Sequence, residues 1–196
     1  MLRKIILSFF ILATYCLANE LTLGSYMPEI DYELYDISGS KLTLNDIKGS
    51  SGTLVIFSCN TCPWVIRWED RYVSIAEKYV PKGIGMIAVN SNSARFKGDD
   101  SMKKMVKHAK DNDYNFPYAQ DPDSKLAKAF GARKTPHVYL FDGKNRLVYT
   151  GAIDDNARNA ELVDENFLAN AIDQMLNGQL IKKPISKAIG CSIKFP

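Results

Sequence analysis

Residues 53–63 have the sequence Thr-Leu-Val-Ile-Phe-Ser-Cys-Asn-Thr-Cys-Pro and carry the strongest structural signal in the chain. Thr53 to Phe57 is a compact apolar run, typical of a β-strand that is buried on both faces. Pro63 suits the first position of a helix, because proline has no N–H to leave unpaired there. Large apolar residues then recur at helical spacing as far as Tyr79. The pattern predicts a buried strand joined to a helix by a Cys-x-x-Cys pair.

Strands and helices alternate through the rest of the chain. A short hairpin is predicted around Gly39, formed by Tyr32 to Asp36 and by Leu42 and Leu44. Further strands are predicted at 84–89, 137–141 and 146–150, and further helices at 101–110, 123–130 and 167–176. The order predicts an α/β fold with a central mixed sheet, covered by helices on both faces and extended by the N-terminal β-hairpin. No linker is evident, so residues 19–196 are expected to form one domain that ends in a basic tail, about 179–196.

Residues 1–18 have the three parts of a secretory signal peptide. Two basic residues precede an apolar run over 5–13, and small residues occupy the −3 and −1 positions of a cleavage site before Asn19. The run is short for a membrane-spanning helix, although an uncleaved anchor is an alternative. Lipoprotein cleavage before Cys16 is a third option, disfavoured by Tyr15. We expect a periplasmic or secreted protein without stable membrane insertion after cleavage.

Composition excludes several classes of protein. Hydrophobic residues make up 46% of the 196 residues and charged residues 24%, which is too apolar for a disordered chain. The net charge is only +3, which argues against a nucleic acid as partner.

Three cysteines remain after signal cleavage: Cys59, Cys62 and Cys191. An odd number in an exported protein leaves one thiol over, or implies that the pairing changes during function. A cysteine at a helix N-terminus is stabilised as a thiolate by free backbone N–H groups and the helix dipole. Because Pro63 places Cys62 at or next to the N-cap, we predict Cys62 as the nucleophile and Cys59 as its resolving partner. The reverse order is the alternative.

Other uses of the cysteine pair are weaker. A zinc site needs four ligands, and only Cys191, His108 and His137 remain, at no metal-ligand spacing. We therefore expect no metal and no cofactor. A purely structural disulfide is the other alternative to redox chemistry.

A second motif, Thr135-Pro136, immediately precedes the strand predicted at 137–141. Together with the Cys-x-x-Cys pair it resembles the thioredoxin superfamily, and more closely the peroxiredoxin-like or redoxin proteins of the AhpC/TSA group. The matching pieces are Phe57-Ser58-Cys59-Asn60-Thr61-Cys62-Pro63, Thr135-Pro136, Gly151-Ala152-Ile153-Asp154-Asp155-Asn156 and Gly190-Cys191-Ser192-Ile193-Lys194. The resemblance implies the thioredoxin fold, a thiol-based redox site, and a cis Pro136 that faces the two cysteines.

The function expected from these features is thiol–disulfide exchange. Cys62 would attack a disulfide in an exported protein or in the disulfide form of a small thiol, and Cys59 would release the product. The backbone of Thr135 would hold an extended substrate, and an upstream thiol donor would restore the dithiol. Cys191 and His137 are accessory candidates, the first as a further resolving thiol and the second as a group that tunes the thiolate.

Two other functions stay open. The peroxiredoxin motif Pro-x-x-x-Thr-x-x-Cys, counted back from Cys62, meets Cys59 at the Thr position and Val55 at the Pro position. Arg133 is near, but not at, the place of the arginine that activates peroxide. Thiol peroxidase is therefore the second hypothesis. A non-catalytic thioredoxin-like binding protein is the third.

Overall fold

The computed structural model describes residues 20–196. The predicted signal peptide, residues 1–18, and its cleavage site before Asn19 lie outside the described residues. Within residues 20–196, none of the helices has the length and apolar character needed to cross a membrane.

Nine strands, five α-helices and four short 3-10 helices make up the regular structure of this part of the chain. The strands are β1 (Leu34–Asp36), β2 (Lys41–Leu42), β3 (Gly52–Ser58), β4 (Ile84–Asn90), β5 (Tyr118–Gln120), β6 (Lys134–Thr135), β7 (His137–Asp142), β8 (Leu147–Gly151) and β9 (Cys191–Ser192). The helices are α1 (Leu44–Ile47), α2 (Pro63–Tyr79), α3 (Met102–Asp111), α4 (Lys125–Phe130) and α5 (Phe167–Leu176).

Seven of the strands form one sheet in the order β2-β1-β5-β4-β3-β7-β8. β3, β4 and β5 run parallel, whereas β7 is antiparallel to β3 and β8 is antiparallel to β7. The predicted mixed sheet with its β1–β2 hairpin extension is confirmed. β6 and β9 form a separate two-stranded sheet.

Alternate residues of the central strands fill two cores, one on each face of the sheet. Leu54 and Ile56 of β3 pack among residues of α2, α3 and α5, whereas Val55 and Phe57 pack among residues of α1 and α4. A strand covered on both faces has apolar residues at successive positions, which explains the continuous run that begins at Thr53. The cysteines that follow β3 therefore lie at the carboxyl end of a central strand of the sheet.

Four short elements, α1, β5, β6 and β9, differ from the prediction. Leu44 begins helix α1 instead of ending a strand, because Thr43 forms a capping box with Asp46. The Asp46 N–H donates to Thr43 Oγ1 at 3.2 Å, and the Thr43 N–H donates to Asp46 Oδ2 at 2.8 Å. Strand β5 was not predicted, since three residues are too few to show a period.

The basic tail is an ordered part of the fold. Ile185 forms a bridge with Thr150, and the Ser186 hydroxyl lies 2.7 Å from the Tyr149 hydroxyl. Ile193 is buried in the core beside α4. Through these contacts the tail runs along the protein from the end of α5 to the carboxyl end of β3.

Candidate active site

The two cysteines of the Cys-x-x-Cys pair lie between the end of β3 and the start of α2. Cys62 is the N-cap of α2 and Pro63 is its first residue, the positions that the proline predicts. Cys62 has extended backbone angles, and its carbonyl oxygen accepts the first helical hydrogen bond from the Ile66 N–H at 3.1 Å. Only 2% of Cys59 and 3% of Cys62 is exposed, so both thiols are covered by protein.

The sulfur of Cys62 has several hydrogen-bond donors around it. The Cys59 thiol is the strongest of them, and it lowers the pKa of Cys62 well below that of a free thiol. Burial opposes this effect, but the Cys191 thiol and the backbone N–H groups of Val65 and Cys191 add to the stabilisation of the thiolate. In the thiol form, Cys62 Sγ instead donates to the carbonyl oxygen of Thr135 at 3.0 Å.

Cys59 has the opposite tendency. Its donated hydrogen bond to Cys62 and its burial raise the pKa of Cys59, so it holds its proton while Cys62 is ionised. Its Sγ also lies 3.3 Å from Thr135 Oγ1, and the nearby negative charge of Asp100 raises its pKa further. The opposite shifts of the two pKa values favour a charge on Cys62, the sulfur at the helix N-terminus, and a proton on Cys59.

Thr135 and Pro136 lie against this pair, and the peptide bond between them is cis, as predicted. The Thr135 carbonyl meets Cys62 and the Thr135 hydroxyl meets Cys59, so one residue contacts both sulfurs. The arrangement brings the two motifs singled out in the sequence into one site.

The backbone of Thr135 is already paired within the chain, so the binding of an extended substrate to it stays a prediction. Thr135 in β6 pairs with Cys191 in β9, so the chain's own tail occupies that edge. Gly190 makes the approach possible, because a Cβ at this position would lie 2.2 Å from the Thr135 carbonyl oxygen. A substrate can pair with Thr135 only after β9 has moved.

The sequence did not reveal one further part of the site, the buried carboxylate of Asp100. The side chain accepts hydrogen bonds from the Asn60 backbone N–H at 3.0 Å, from Asn90 Nδ2 at 2.8 Å and from Asn92 Nδ2 at 3.0 Å. The Tyr118 hydroxyl donates to Asn60 Oδ1 at 3.0 Å. This network fixes the loop between the two cysteines and places a negative charge behind Cys59.

Strand β3 carries no acidic residue before the cysteines, and the carboxylate comes instead from the segment before α3, about forty positions further along the chain. The sequence alone does not distinguish Asp100 from its neighbour Asp99. The signal that distinguishes them is burial, since Asp100 is 0% exposed whereas the Asp99 carboxylate pairs with Lys104 at the surface.

His137 is buried in β7, but its partners are not thiols. One ring nitrogen lies 3.1 Å from both Thr150 Oγ1 and Glu20 Oε1, and the other lies 3.3 Å from the Tyr139 hydroxyl. These contacts assign His137 to the packing of β7 against β8 and the N-terminal segment. The accessory role considered from the sequence has no contact to support it.

A cavity of about 150 Å³ adjoins the thiols. Cys59, Cys62, Cys191, Arg95 and Lys194 contribute to its wall, so it combines sulfur with positive charge. A cavity of this size holds several water molecules or one small side chain. Among the described residues, no three His, Cys, Asp or Glu side chains are arranged to hold a metal ion.

Comparison with known proteins gives a family match over most of the chain. The sequence model of the Redoxin family matches residues 22–166. No curated protein matches the sequence.

Two solved structures are similar in both sequence and fold. An uncharacterized conserved protein from Geobacillus kaustophilus has 35% identity and a TM-score of 0.83, over 91% of this chain and 94% of that one. A hypothetical protein from Sinorhizobium meliloti 1021 has 34% identity and a TM-score of 0.82, over 91% and 97%. A peroxidoxin from Mycobacterium tuberculosis has 14% identity and a TM-score of 0.60, over 81% and 98%, and shares the thioredoxin-like fold alone.

Proposed function

The chain belongs to the Redoxin family of thioredoxin-like proteins, and we propose that it is an exported thiol–disulfide oxidoreductase that acts through Cys59 and Cys62. One observation carries the proposal: Cys62 is the N-cap of α2, and the sulfurs of Cys62 and Cys59 lie 3.0 and 3.3 Å from two oxygens of the same residue, Thr135. In this site the pKa of Cys62 is lowered and that of Cys59 is raised. A thiolate with a protonated partner beside it is what the two steps of disulfide exchange require.

In the proposed cycle the Cys62 thiolate attacks one sulfur of a substrate disulfide. The other substrate sulfur leaves as a thiolate, and a mixed disulfide to Cys62 forms. Cys59 then loses its proton and attacks Cys62, which releases the reduced substrate and leaves a Cys59–Cys62 disulfide. An external thiol donor returns the pair to the dithiol.

The closed site restricts the substrates in this proposal. With 2% and 3% of the two cysteines exposed and a cavity that holds no more than one small side chain, a disulfide in an exported protein reaches the sulfurs only after β9 has moved. Export itself is proposed on the pattern of residues 1–18 and places the reaction in the periplasm or outside the cell.

Trapping of reaction partners tests the proposal. In a Cys59→Ser/Cys191→Ser variant both candidate resolving thiols are absent, so we expect mixed disulfides with Cys62 to accumulate when the reduced protein meets a disulfide-bonded peptide. Cys62→Ser/Cys191→Ser is the matched control and should trap none. Because the pKa of Cys62 is lowered, the first step should lose little rate between alkaline and neutral pH, unlike the reaction of a free thiol.

Hydrogen peroxide separates the proposal from a peroxidase. Stopped-flow measurements on the reduced protein should give faster oxidation by the disulfide peptide than by peroxide. Rapid, saturating peroxide consumption with slow disulfide exchange would refute the proposal in favour of a peroxidase. Failure of both variants to trap any partner, with thiols inert to both oxidants, would favour a binding protein.

A further inference from the structure

Cys191 occupies the position at which a substrate cysteine would meet the site. In the sheet register it is paired with Thr135, the residue before the cis proline, and its thiol contacts Cys62. We infer that Cys191 is an internal exchange partner of Cys62, and that it moves the disulfide from the buried Cys59–Cys62 pair to a Cys62–Cys191 pair that an external thiol can reach. This inference rests on the function proposed above.

The tail is held firmly enough to position the sulfur. Gly190 lies in close contact with the Thr135 carbonyl, where no side chain fits. After β9, the Ile193 N–H donates to the Arg133 carbonyl at 3.0 Å, and the Lys194 N–H donates to Asn92 Oδ1 at 2.8 Å. The buried Ile193 side chain anchors this end in the core.

Access favours Cys191 as the outward-facing thiol. Cys59 and Cys62 are buried, whereas Cys191 is only partly buried. Cys191 packs against the cluster formed by Cys59, Cys62 and Val65, so its sulfur links the covered pair with the surface. A disulfide that includes Cys191 is therefore more accessible than one between Cys59 and Cys62.

The oxidation state of Cys59 and Cys62 affects how readily the Cys191 thiol ionises. In the reduced protein the Cys191 thiol donates to Cys62, and this bond adds to burial in raising the pKa of Cys191. Oxidation to the Cys59–Cys62 disulfide removes the negative sulfur, while the positive charge of Lys194 remains. Cys191 thus ionises more readily once there is a disulfide for it to attack.

The proposed step is an exchange that needs no additional oxidant. The Cys191 thiolate attacks Cys62 Sγ, the Cys59–Cys62 bond breaks, and Cys59 leaves as a thiolate that takes up a proton. A thiol of a dithiol donor then attacks Cys191, and Cys62 leaves as a thiolate, which gives a mixed disulfide between the donor and Cys191. The second thiol of the donor attacks the donor sulfur of this bond, the donor disulfide forms, and Cys191 leaves as a thiolate that takes up a proton. Two electrons pass from the donor dithiol to the protein.

A disulfide-mapping experiment tests the contact. Trypsin releases Cys59 and Cys62 on the peptide 49–67 and Cys191 on the peptide 188–194. After mild oxidation, the monomeric Cys59→Ser variant should lose two hydrogen atoms and yield these two peptides joined by a disulfide. The matched Cys62→Ser variant should yield little of this product, because Cys62 is the contact of Cys191. Absence of the link in Cys59→Ser would overturn the inference.

A recycling experiment tests the step itself. The oxidised wild type and a Cys191→Ser variant are mixed with dithiothreitol, and regeneration of the dithiol is followed. Serine keeps the size of the side chain and the strand pairing, so a merely structural role predicts equal rates. We expect recycling of Cys191→Ser to slow by about tenfold or more, because the donor must then reach a buried disulfide. Equal rates would overturn the inference.

The two proposals fail in different ways. A wild type that cycles through a Cys59–Cys62 disulfide, without a 62–191 link and without a recycling defect in Cys191→Ser, removes only this inference. A wild type in which no Cys59–Cys62 disulfide forms on reaction with a disulfide substrate removes the proposed function and, with it, the exchange step.

Discussion

Asp100 is the residue on which the loop between the cysteines depends. Its buried carboxylate is compensated by three neutral amide donors, from the Asn60 backbone and from the side chains of Asn90 and Asn92. A buried charge is tolerated when hydrogen bonds replace its lost hydration. The same charge stands behind Cys59 and adds to the effects that raise the pKa of Cys59.

Asp100→Asn should destabilise the reduced protein and lower the pKa of Cys59. The amide has the same shape, but its NH₂ group faces a donor, so we expect a loss of about 1–3 kcal/mol in the free energy of unfolding. Loss of the negative charge removes one of the causes that raise the pKa of Cys59. Urea unfolding measures the first effect, and thiolate absorbance against pH measures the second.

Asp99→Asn is the control for this substitution. Asp99 is adjacent in sequence, but its side chain pairs with Lys104 at the surface, and its contact with Asn60 is through the backbone carbonyl. A surface ion pair contributes about 0–1 kcal/mol. If the two substitutions cost the same, Asp100 does not organise the loop.

Among the elements, β9 has the largest influence on the site for its length. Two residues, Cys191 and Ser192, pair with β6 and cover the edge beside the cis proline. Because β9 covers this position, the thiols at the carboxyl end of β3 are almost inaccessible to solvent.

Gly190→Ala should release β9. The new Cβ would lie 2.2 Å from the backbone carbonyl oxygen of Thr135, which cannot move away without disturbing Pro136. We expect Cys62 to be alkylated by iodoacetamide faster than in the wild type, as measured by mass spectrometry of the 49–67 peptide. Gly98→Ala is the control, since its Cβ would meet only Arg95 O, at 3.6 Å. An unchanged alkylation rate in Gly190→Ala would mean that the tail does not protect the site.

The long elements could be predicted from sequence and the short ones could not. Helices α2 and α5 have the predicted bounds, because each has a repeating apolar face and a clear boundary residue, Pro63 at the start of one and Gly178 beyond the end of the other. β5 and β9 have three and two residues and form only because a partner strand lies beside them. The same limit hid Asp100 and the pairing of Cys191 with Thr135, since both depend on contacts between distant parts of the chain.

The residues that stabilise the fold and the residues of the candidate site lie in different parts of the molecule. The two cores fill the faces of the sheet, whereas the thiols lie at the carboxyl end of β3. On one face Phe130 packs edge to face against Phe57, Tyr139 and Phe141, with ring centroids 5.3, 5.2 and 5.7 Å apart respectively. This aromatic cluster packs on one face of the sheet that contains β3, and none of its residues lines the cavity beside the thiols.

Phe130→Ala should therefore lower stability and leave the site intact. Removing a buried phenylalanine typically costs about 3–5 kcal/mol in the free energy of unfolding. The folded fraction should keep the disulfide exchange rate of the wild type. Leu180→Ala is the control, because Leu180 is 89% exposed and such substitutions usually change stability by less than about 0.5 kcal/mol. Equal unfolding midpoints for the two variants would contradict this account of the core.

The order of synthesis gives the position of β9 a chemical meaning. Cys59 and Cys62 are made about 130 residues before the strand that covers them. A newly made chain therefore carries uncovered thiols until β9 has been made and has paired with β6.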